Sequence, residues 1–545
     1  MTSKVYKTRN RAPSHAMRVC ENISFARFVY PFVFRSELFD SLTKSADGSA
    51  DTRNNNASAN AAGVGAELLA RAWQVCDFEV GDILPHVAEL LAPGSTRTNG
   101  RTVARRWVLT KRCLSKMFHS SAKGTWEVKC QKNYFPIEIT DVQLALFPYG
   151  AGFLTISAHP RRSVDPRQSL DNWLDFIHAF RYVEPKGYTD IRFKPIPGVG
   201  ISSRNVEEGS TRIKPIIERL LKTIKLKAGT LRQGIDGMLD RIDGAATCEP
   251  GNDVWWEEVY IPGQLIPFVA LYLDNVPRDE IEMLIFRIRS FFFHNQITHP
   301  AHDQLCLDHA DLLTYADKMW FTFSLAGGAF VAINPPKEGV YRTSVAKKAL
   351  PQDYFLLFLL ALQQRFVLSR LAKSVAETWL SDIEREQSRT GGRGRRLANS
   401  KRTDHTDSKL NQDFEEISDV FFSFTAKGYF AQVMQGERHH LYYRQWQRTF
   451  EVEQLYQQVR DRISDMRAYI ETRQERNLNT NVMRLTSYTV ILGSVGAVAG
   501  WYGINVDEKT GIPPLTSSQG VYDLLLLVLA IVAIEIVFFK FKRWL

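Results

Sequence analysis

Hydrophobic and polar positions divide the chain into stretches of different texture. From Trp126 to Pro160, short apolar runs alternate with turn residues: WEVKC, FPIEI, VQLALF and GFLTISA, with Pro148-Tyr149-Gly150 before the last. Strand-length runs bounded by turn chemistry predict β-structure. Trp255 to Leu273 reads as further strand, and so does Trp320 to Ile333 around Gly327-Gly328. Tyr354 to Glu384 predicts a long helix, and Phe414 to Tyr443 begins a helical stem. Val452, Tyr456, Val459, Ile463, Met466 and Ile470 then recur at alternating spacings of four and three. Such a heptad stripe predicts a stalk helix, packed against copies of itself or against its own domain. The stripe fades into the polar run Glu475 to Asn481.

Two apolar segments follow. Leu485 to Tyr502 carries no charge, and Val521 to Phe539 carries only Asp523 at its edge and Glu535 within. Each is long enough to cross a hydrocarbon core of about 30 Å at about 1.5 Å per residue. The run LLLLVLAIVAI has no polar face, which favours lipid over the core of a soluble domain. Arg473, Arg476 and Arg484 precede the first segment, and Lys540, Lys542 and Arg543 follow the second. The positive-inside bias therefore predicts a multi-pass inner-membrane protein with both termini cytoplasmic. The first segment is rich in small and hydroxylated residues, among them Thr486, Ser487, Thr489, Ser494, Gly493, Gly496 and Gly500. These suit close helix packing, including dimerisation through the glycines, or the lining of a pore. Two spans per chain enclose no pore, so a pore needs several subunits.

Composition narrows the picture further. The chain has 545 residues, 44% hydrophobic and 23% charged, which excludes wholesale disorder and collagen-like repeats. Its net charge of +10 points to phosphate partners or an anionic membrane surface. The six cysteines form no CxxC pair and read as reduced cytosolic thiols. Met1 to Arg18 is basic and polar, unlike a secretory signal. Walker A, GxGxxG after a strand, HExxH and GxSxG are absent, so no enzyme activity is expected.

Just past the first apolar segment the chain reads WYGINV, Trp501 to Val506, with GIPP at Gly511 to Pro514 and a short basic tail ending Arg543-Trp544-Leu545. Together with the long preceding helix, these features resemble the CorA superfamily of divalent-cation channels and transporters. That family closes its first span with a Gly-Met-Asn signature; the tripeptide here is Gly503-Ile504-Asn505. The changed middle residue and the GIP-like stretch are more similar to the zinc-transporting branch, so the resemblance leaves magnesium and zinc both open. It implies a homopentamer in the bilayer whose first spans line a pore, with Asn505 ringing the outer mouth. Counted back along the family's pore face, Gly496, Gly493, Leu485, Val482 and Asn479 share roughly one helical stripe. Asp507 and Glu508, repeated around a ring, would concentrate cations at the entrance. No cofactor is implied beyond the transported divalent ion.

The part before the spans is larger than that family's usual cytosolic domain. Lys44 to Ala66 is low in complexity and reads as a disordered insertion. The strand LALFPYGAGFLTI before an Asp-Asn-Trp helix, and YFLLFLLALQQRFVLSRLA, are similar to a large CorA-like subgroup found beside type III CRISPR systems. That resemblance implies a nucleotide second messenger, a conjugate of S-adenosylmethionine and AMP, as the gating ligand in antiviral defence. Arg161, Arg162 and Arg181 are then candidates for phosphate contact, against a reading as solvated surface charges. His294, His299, His302, Cys306 and His309 cluster with Asp303, Asp308 and Asp311. His302, Cys306 and His309 share a helical face and are the candidate metal ligands, against a reading as an ordinary polar loop. Arg389 to Arg402 is basic and glycine-containing, and reads as a flexible loop in preference to a nucleic-acid contact.

The fold class expected is an α+β cytosolic domain, a long helical stalk and a C-terminal two-helix transmembrane hairpin in a CorA-like homopentamer. The expected boundaries are 1–345 for the mixed α/β domain with the insertion at 44–66, 346–484 for long helices and stalk with a basic loop at 389–410, and 485–545 for the hairpin with an outer loop at 503–520. The expected function is divalent-cation conduction gated through the cytosolic domain. The alternatives are the nucleotide-gated defence effector and a membrane-tethered nucleic-acid-binding scaffold.

Overall fold

The computed structural model describes residues 17–34, 39, 73–76, 78, 82–91, 104–118, 124–161, 170–184, 189–195, 213–222, 256–257, 264–293, 300–337, 339, 341–390, 400–504 and 518–541. The segment 44–66, expected as an insertion, lies outside them. Among the described residues thirteen strands join in one sheet. Its main path runs β11 (Leu312–Ala316), β12 (Met319–Ser324), β13 (Gly327–Ile333), β10 (Ile266–Asp274), β2 (Phe25–Phe34), β7 (Ala151–Pro160), β6 (Asn133–Phe147), β4 (Arg105–Leu109) and β3 (Trp73–Val75). Off this path, β1 (Arg18–Val19) pairs with β10, β9 (Trp256–Glu257) with β2, and β5 (Gly124–Cys130) with both β6 and β8 (Thr189–Pro195). The pair β10–β13 is parallel; the other ladders are antiparallel.

The helices are α1 (Pro85–Leu91), α2 (Lys111–Phe118), α3 (Leu170–Phe180), α4 (Ile213–Lys222) and α5 (Ile281–Ser290), then a π-helical segment Tyr341–Tyr354 leading into α6 (Phe355–Thr390). After these come α7 (Ser400–Lys427), α8 (Glu437–Thr449), α9 (Val452–Ile504) and α10 (Ser518–Phe541). The basic stretch 389–410, expected as a loop, is therefore helical at both described ends. α6 runs on to Thr390 and α7 starts at Ser400.

The sheet explains its own sequence. β2 is central and nearly all buried, so it reads as a continuous apolar run instead of an alternating one. Pro31, which lacks an N–H, would break a ladder in mid-sheet. It sits beyond the last β10 partner, Val29↔Ile266, and before the first β9 partner, Val33↔Glu257, so that edge is unpaired there. The runs FPIEI and VQLALF, legible as two strands, form the single fifteen-residue β6. A register shift between Ile139 and Asp141 absorbs the break.

Two compact units emerge. The first comprises Met1–Thr378 and Asp413–Val459. In it, the first part of α6 covers the sheet: Phe358 stacks on Phe268 at 5.4 Å, and Phe366 meets Phe153 edge-on at 6.0 Å. Trp446 of α8 fills the space over Gly328, where a Cβ would come within 2.3 Å of its ring. Gln447 donates to the Gln364 side-chain oxygen at 3.0 Å and to the Phe430 carbonyl at 2.9 Å, tying α8 to buried α6. The second unit comprises Trp379–Gln412 and Arg460–Leu545. There Trp379 stacks on Tyr469 at 5.6 Å.

The heptad stripe is covered within one chain. Val452, Val459, Ile463, Met466 and Ile470 are all buried, while Tyr456 stacks on Tyr429 and Phe421. Of the two expectations for this helix, packing against its own chain accounts for the stripe.

In the first unit the His439 ring lies 4.8 Å from that of Tyr354. Burial lowers its pKa below the usual 6.5, with Asp82 opposing. The unfolded chain then binds the proton more readily than the folded one. Stability from this group is full above about pH 6.5 and falls as the pH drops below it. We expect the melting midpoint to decline more steeply below that pH in the wild type than in His439→Phe; parallel curves would contradict this origin.

Candidate functional site

α9 has 53 residues, about 80 Å at about 1.5 Å per residue. Its character changes along its length. Up to Ile470 the apolar side chains are buried. Beyond the polar turn they are exposed, as at Leu485 (65%) and Leu492 (72%). α10, of 24 residues, is about 36 Å long. Along its apolar core Leu525–Phe539 most large side chains are exposed likewise, with Leu526 at 70% and Ile534 at 69%, while Phe539 is buried. Side chains of this size stacked along two helices demand lipid or protein cover.

The last third of α9 has two distinct faces. Met483, Ser487, Ile491, Ser494, Val495 and Val498 are buried or half-buried. From that face Ser494 Oγ donates to Glu535 Oε2 of α10 at 2.9 Å. At about 100° per residue, Val482, Leu485, Gly493 and Gly496 fall on the opposite side of the helix, while Asn479 lies on its flank, about 90° from the buried face. All five are exposed, and nothing lies within 4 Å of a Cβ built on either glycine. Gly500, open in the same way, continues the stripe. Val482, Leu485, Gly493 and Gly496 thus share a face turned away from the one that meets α10.

Gly503 and Ile504 are the last residues of α9. Asn505, Asp507 and Glu508 lie outside the described residues, as does Arg162. Hydroxyls of this region mostly return to their own backbone: Thr486 to Val482 O, Ser487 to Met483 O and Thr489 to Leu485 O, each at 2.9 Å. The Ser494–Glu535 contact was not read from the sequence. Its only signal there is the carboxylic acid standing alone in the aliphatic run of α10.

The remaining candidates fall in the first unit. Arg161 is exposed at the end of β7, where its backbone N–H donates to Pro136 O at 2.9 Å. Arg181 is buried, with its guanidinium 5.2 Å from the Phe291 ring centre and 5.9 Å from that of Tyr182. The β-sheet edge and the aromatic core give these two arginines different surroundings. His302 and Cys306 approach loosely, Sγ to Nδ1 at 4.0 Å. His309 is turned to other partners: Arg289 Nη1 lies 2.7 Å from its Nδ1, and the Asp311 backbone N–H donates to the same nitrogen at 3.1 Å. Among the described residues no three His, Cys, Asp or Glu side chains are grouped to hold a metal ion. His294 and His299 lie outside them. A cavity of about 460 Å³ opens beside this network, lined by Ser290, Asp311, Gln445, Arg448 and Glu451 among others.

Length and apolarity alone single out an 18-residue window within Tyr341–Ser381, with a mean hydropathy of 1.4, but 78% of that window is buried within the chain. It belongs to the core helix of the first unit, unlike the exposed helices that follow.

These later helices define the class. Residues 397–543 match the family described as CorA-like Mg2+ transporter protein. The likeness to CorA-like transporters is thus a likeness of the C-terminal part of the chain. The match takes in the whole of α7, α8, α9 and α10, and none of the β-sheet. No curated protein matches the sequence. Among solved structures, the CorA magnesium transporter from Methanocaldococcus jannaschii is similar at 14% identity. That pairing covers 53% of this chain and 94% of the other, with a TM-score of 0.17.

If lipid covers α10, a charge on its exposed face is costly by about 2.5 to 3.5 kcal/mol near mid-bilayer. We expect Leu529→Asp to be stripped from membranes by an alkaline carbonate wash. Leu441→Asp, on the exposed face of α8, should stay bound as the wild type does. Equal retention of all three would place α10 outside the bilayer.

Proposed function

We propose that the chain forms a homopentameric inner-membrane channel for divalent cations, built around the last third of α9. The single observation that carries this reading is spatial. Val482, Leu485, Gly493 and Gly496 form one open face, opposite the face that meets α10, with Asn479 exposed on its flank. Five copies turned inward would line a pore with this stripe, and α10 would stand between it and lipid. The family match over 397–543 supports cations as the cargo.

In this reading α9 and α10 form a two-span hairpin with both chain termini in the cytoplasm. Asn505 stands at the outer mouth, just past the helix end marked by Gly503 and Ile504. Amide oxygens there replace outer-shell contacts of a hydrated divalent ion without binding it too tightly to leave. Asp507 and Glu508 raise the local cation concentration. Magnesium and zinc are both candidate cargo. Gating enters through the first unit, because α9 is continuous from Val452 to Ile504. The cavity beside Arg448 and Glu451 adjoins the elbow where α8 gives way to α9, and there Glu451 has φ 53°.

The test is flux through the full chain in liposomes loaded with a dye sensitive to magnesium or zinc. We expect wild-type protein to pass at least one of the two ions. Asn505→Ala should lower that flux at least about tenfold without changing particle size. A wild type impermeable to both ions, or an Asn505→Ala variant as active as the wild type, would overturn the proposal.

A further inference from the structure

Of the hydroxyls along the last third of α9, Ser494 behaves differently. Thr486, Ser487 and Thr489 bond back to carbonyls four residues earlier. Ser494 reaches Ile491 O at 2.8 Å and, across to the other helix, Glu535 Oε2 at 2.9 Å. Both side chains are half-buried, in a region where most large side chains are exposed. Ser494 lies ten residues past Arg484, about 15 Å along the helix and so about midway through a 30 Å hydrocarbon core. A carboxylic acid at such depth is expensive relative to the leucines and isoleucines around it, and its default reading is functional.

The geometry points to Glu535 as a positioning residue for conduction: by holding Ser494, it fixes the rotation of α9 about its own axis. The inference rests on the channel reading above. The reason lies in what stands on the far side of α9. Leu485, Gly493 and Gly496 are open to neighbours, and small residues supply little side-chain interlocking to set an angle. Aliphatic contacts between α9 and α10 are non-directional and tolerate slippage. A hydrogen bond across the two helices is directional, and in hydrocarbon neither partner has water as a substitute. One such bond in each of five subunits would hold the same stripe toward the axis in every copy. Glu535 itself, behind α9, touches no ion in this arrangement.

The experiment is a double-mutant cycle on divalent flux through the full chain in liposomes, with particle size checked by chromatography. Ser494→Ala and Glu535→Leu should each lower flux about threefold to tenfold, the range expected of one interhelical hydrogen bond. The double variant should be no lower than the worse single one, because both remove the same bond. Glu535→Gln, whose amide oxygen still accepts, and Ser494→Thr, whose hydroxyl still donates, should keep near wild-type flux. Leucine suits lipid better than a carboxyl group, so Glu535→Leu is not expected to fail at insertion. Normal flux in Glu535→Leu, additive losses in the double variant, or a Glu535→Gln variant as poor as Glu535→Leu would each overturn the positioning role while leaving the channel reading intact. Absence of flux in the wild type would remove both.

Discussion

The organising constraint is apolar surface that one chain cannot cover. α9 passes through two environments within a single uninterrupted helix. Near its start, side chains from Val452 to Ile470 are buried against the chain's own α6, α7 and loop residues. Past Arg484 most of its large apolar side chains, and most of those of α10, stand exposed. Water cannot be the solvent of such a surface. The functional reading follows from asking what covers each face: α10 covers one side of α9, lipid suits the flanks, and the remaining glycine-bearing face is left for other copies.

The division of labour along the chain has the same origin. The first unit is a large mixed sheet whose two sides are filled by aromatic residues, with α6 as its buried core helix. Its most apolar 18-residue window is as apolar as a membrane span, yet 78% of that window is buried. Composition cannot separate it from a lipid-facing helix; the cover provided by the sheet does. Among the described residues the second unit has no strand, and its helices meet their surroundings directly.

Much of this was legible in the sequence. Alternating runs gave β5, β6 and β7, and the apolar runs gave α6, the end of α9 and α10, because periodicity and length are local properties. What was not legible depended on distant partners. Pro31 fits inside β2 only because the ladders from β10 and β9 leave a gap there. The heptad stripe carries no label saying whether its partner is another copy or the same chain. Arg181, a candidate phosphate contact with a solvated surface charge as the alternative, is buried, with the ring of Phe291, the C-cap of α5, beside its guanidinium. His309 looks like a metal ligand by type, but Arg289 and Asp311 already occupy its Nδ1. Glu535 looked like an isolated charge until Ser494 was found across from it. In each case residue type fixed what chemistry was available, and tertiary contact decided whether it was used.

The account stands on several subunits turning the stripe Val482 to Gly496 toward a shared axis. Counting the copies in single particles extracted with their native lipid, by mass photometry, addresses that claim most directly. Five chains per particle is the predicted result. Particles of one or two chains, which cannot enclose a path with this stripe, would contradict it.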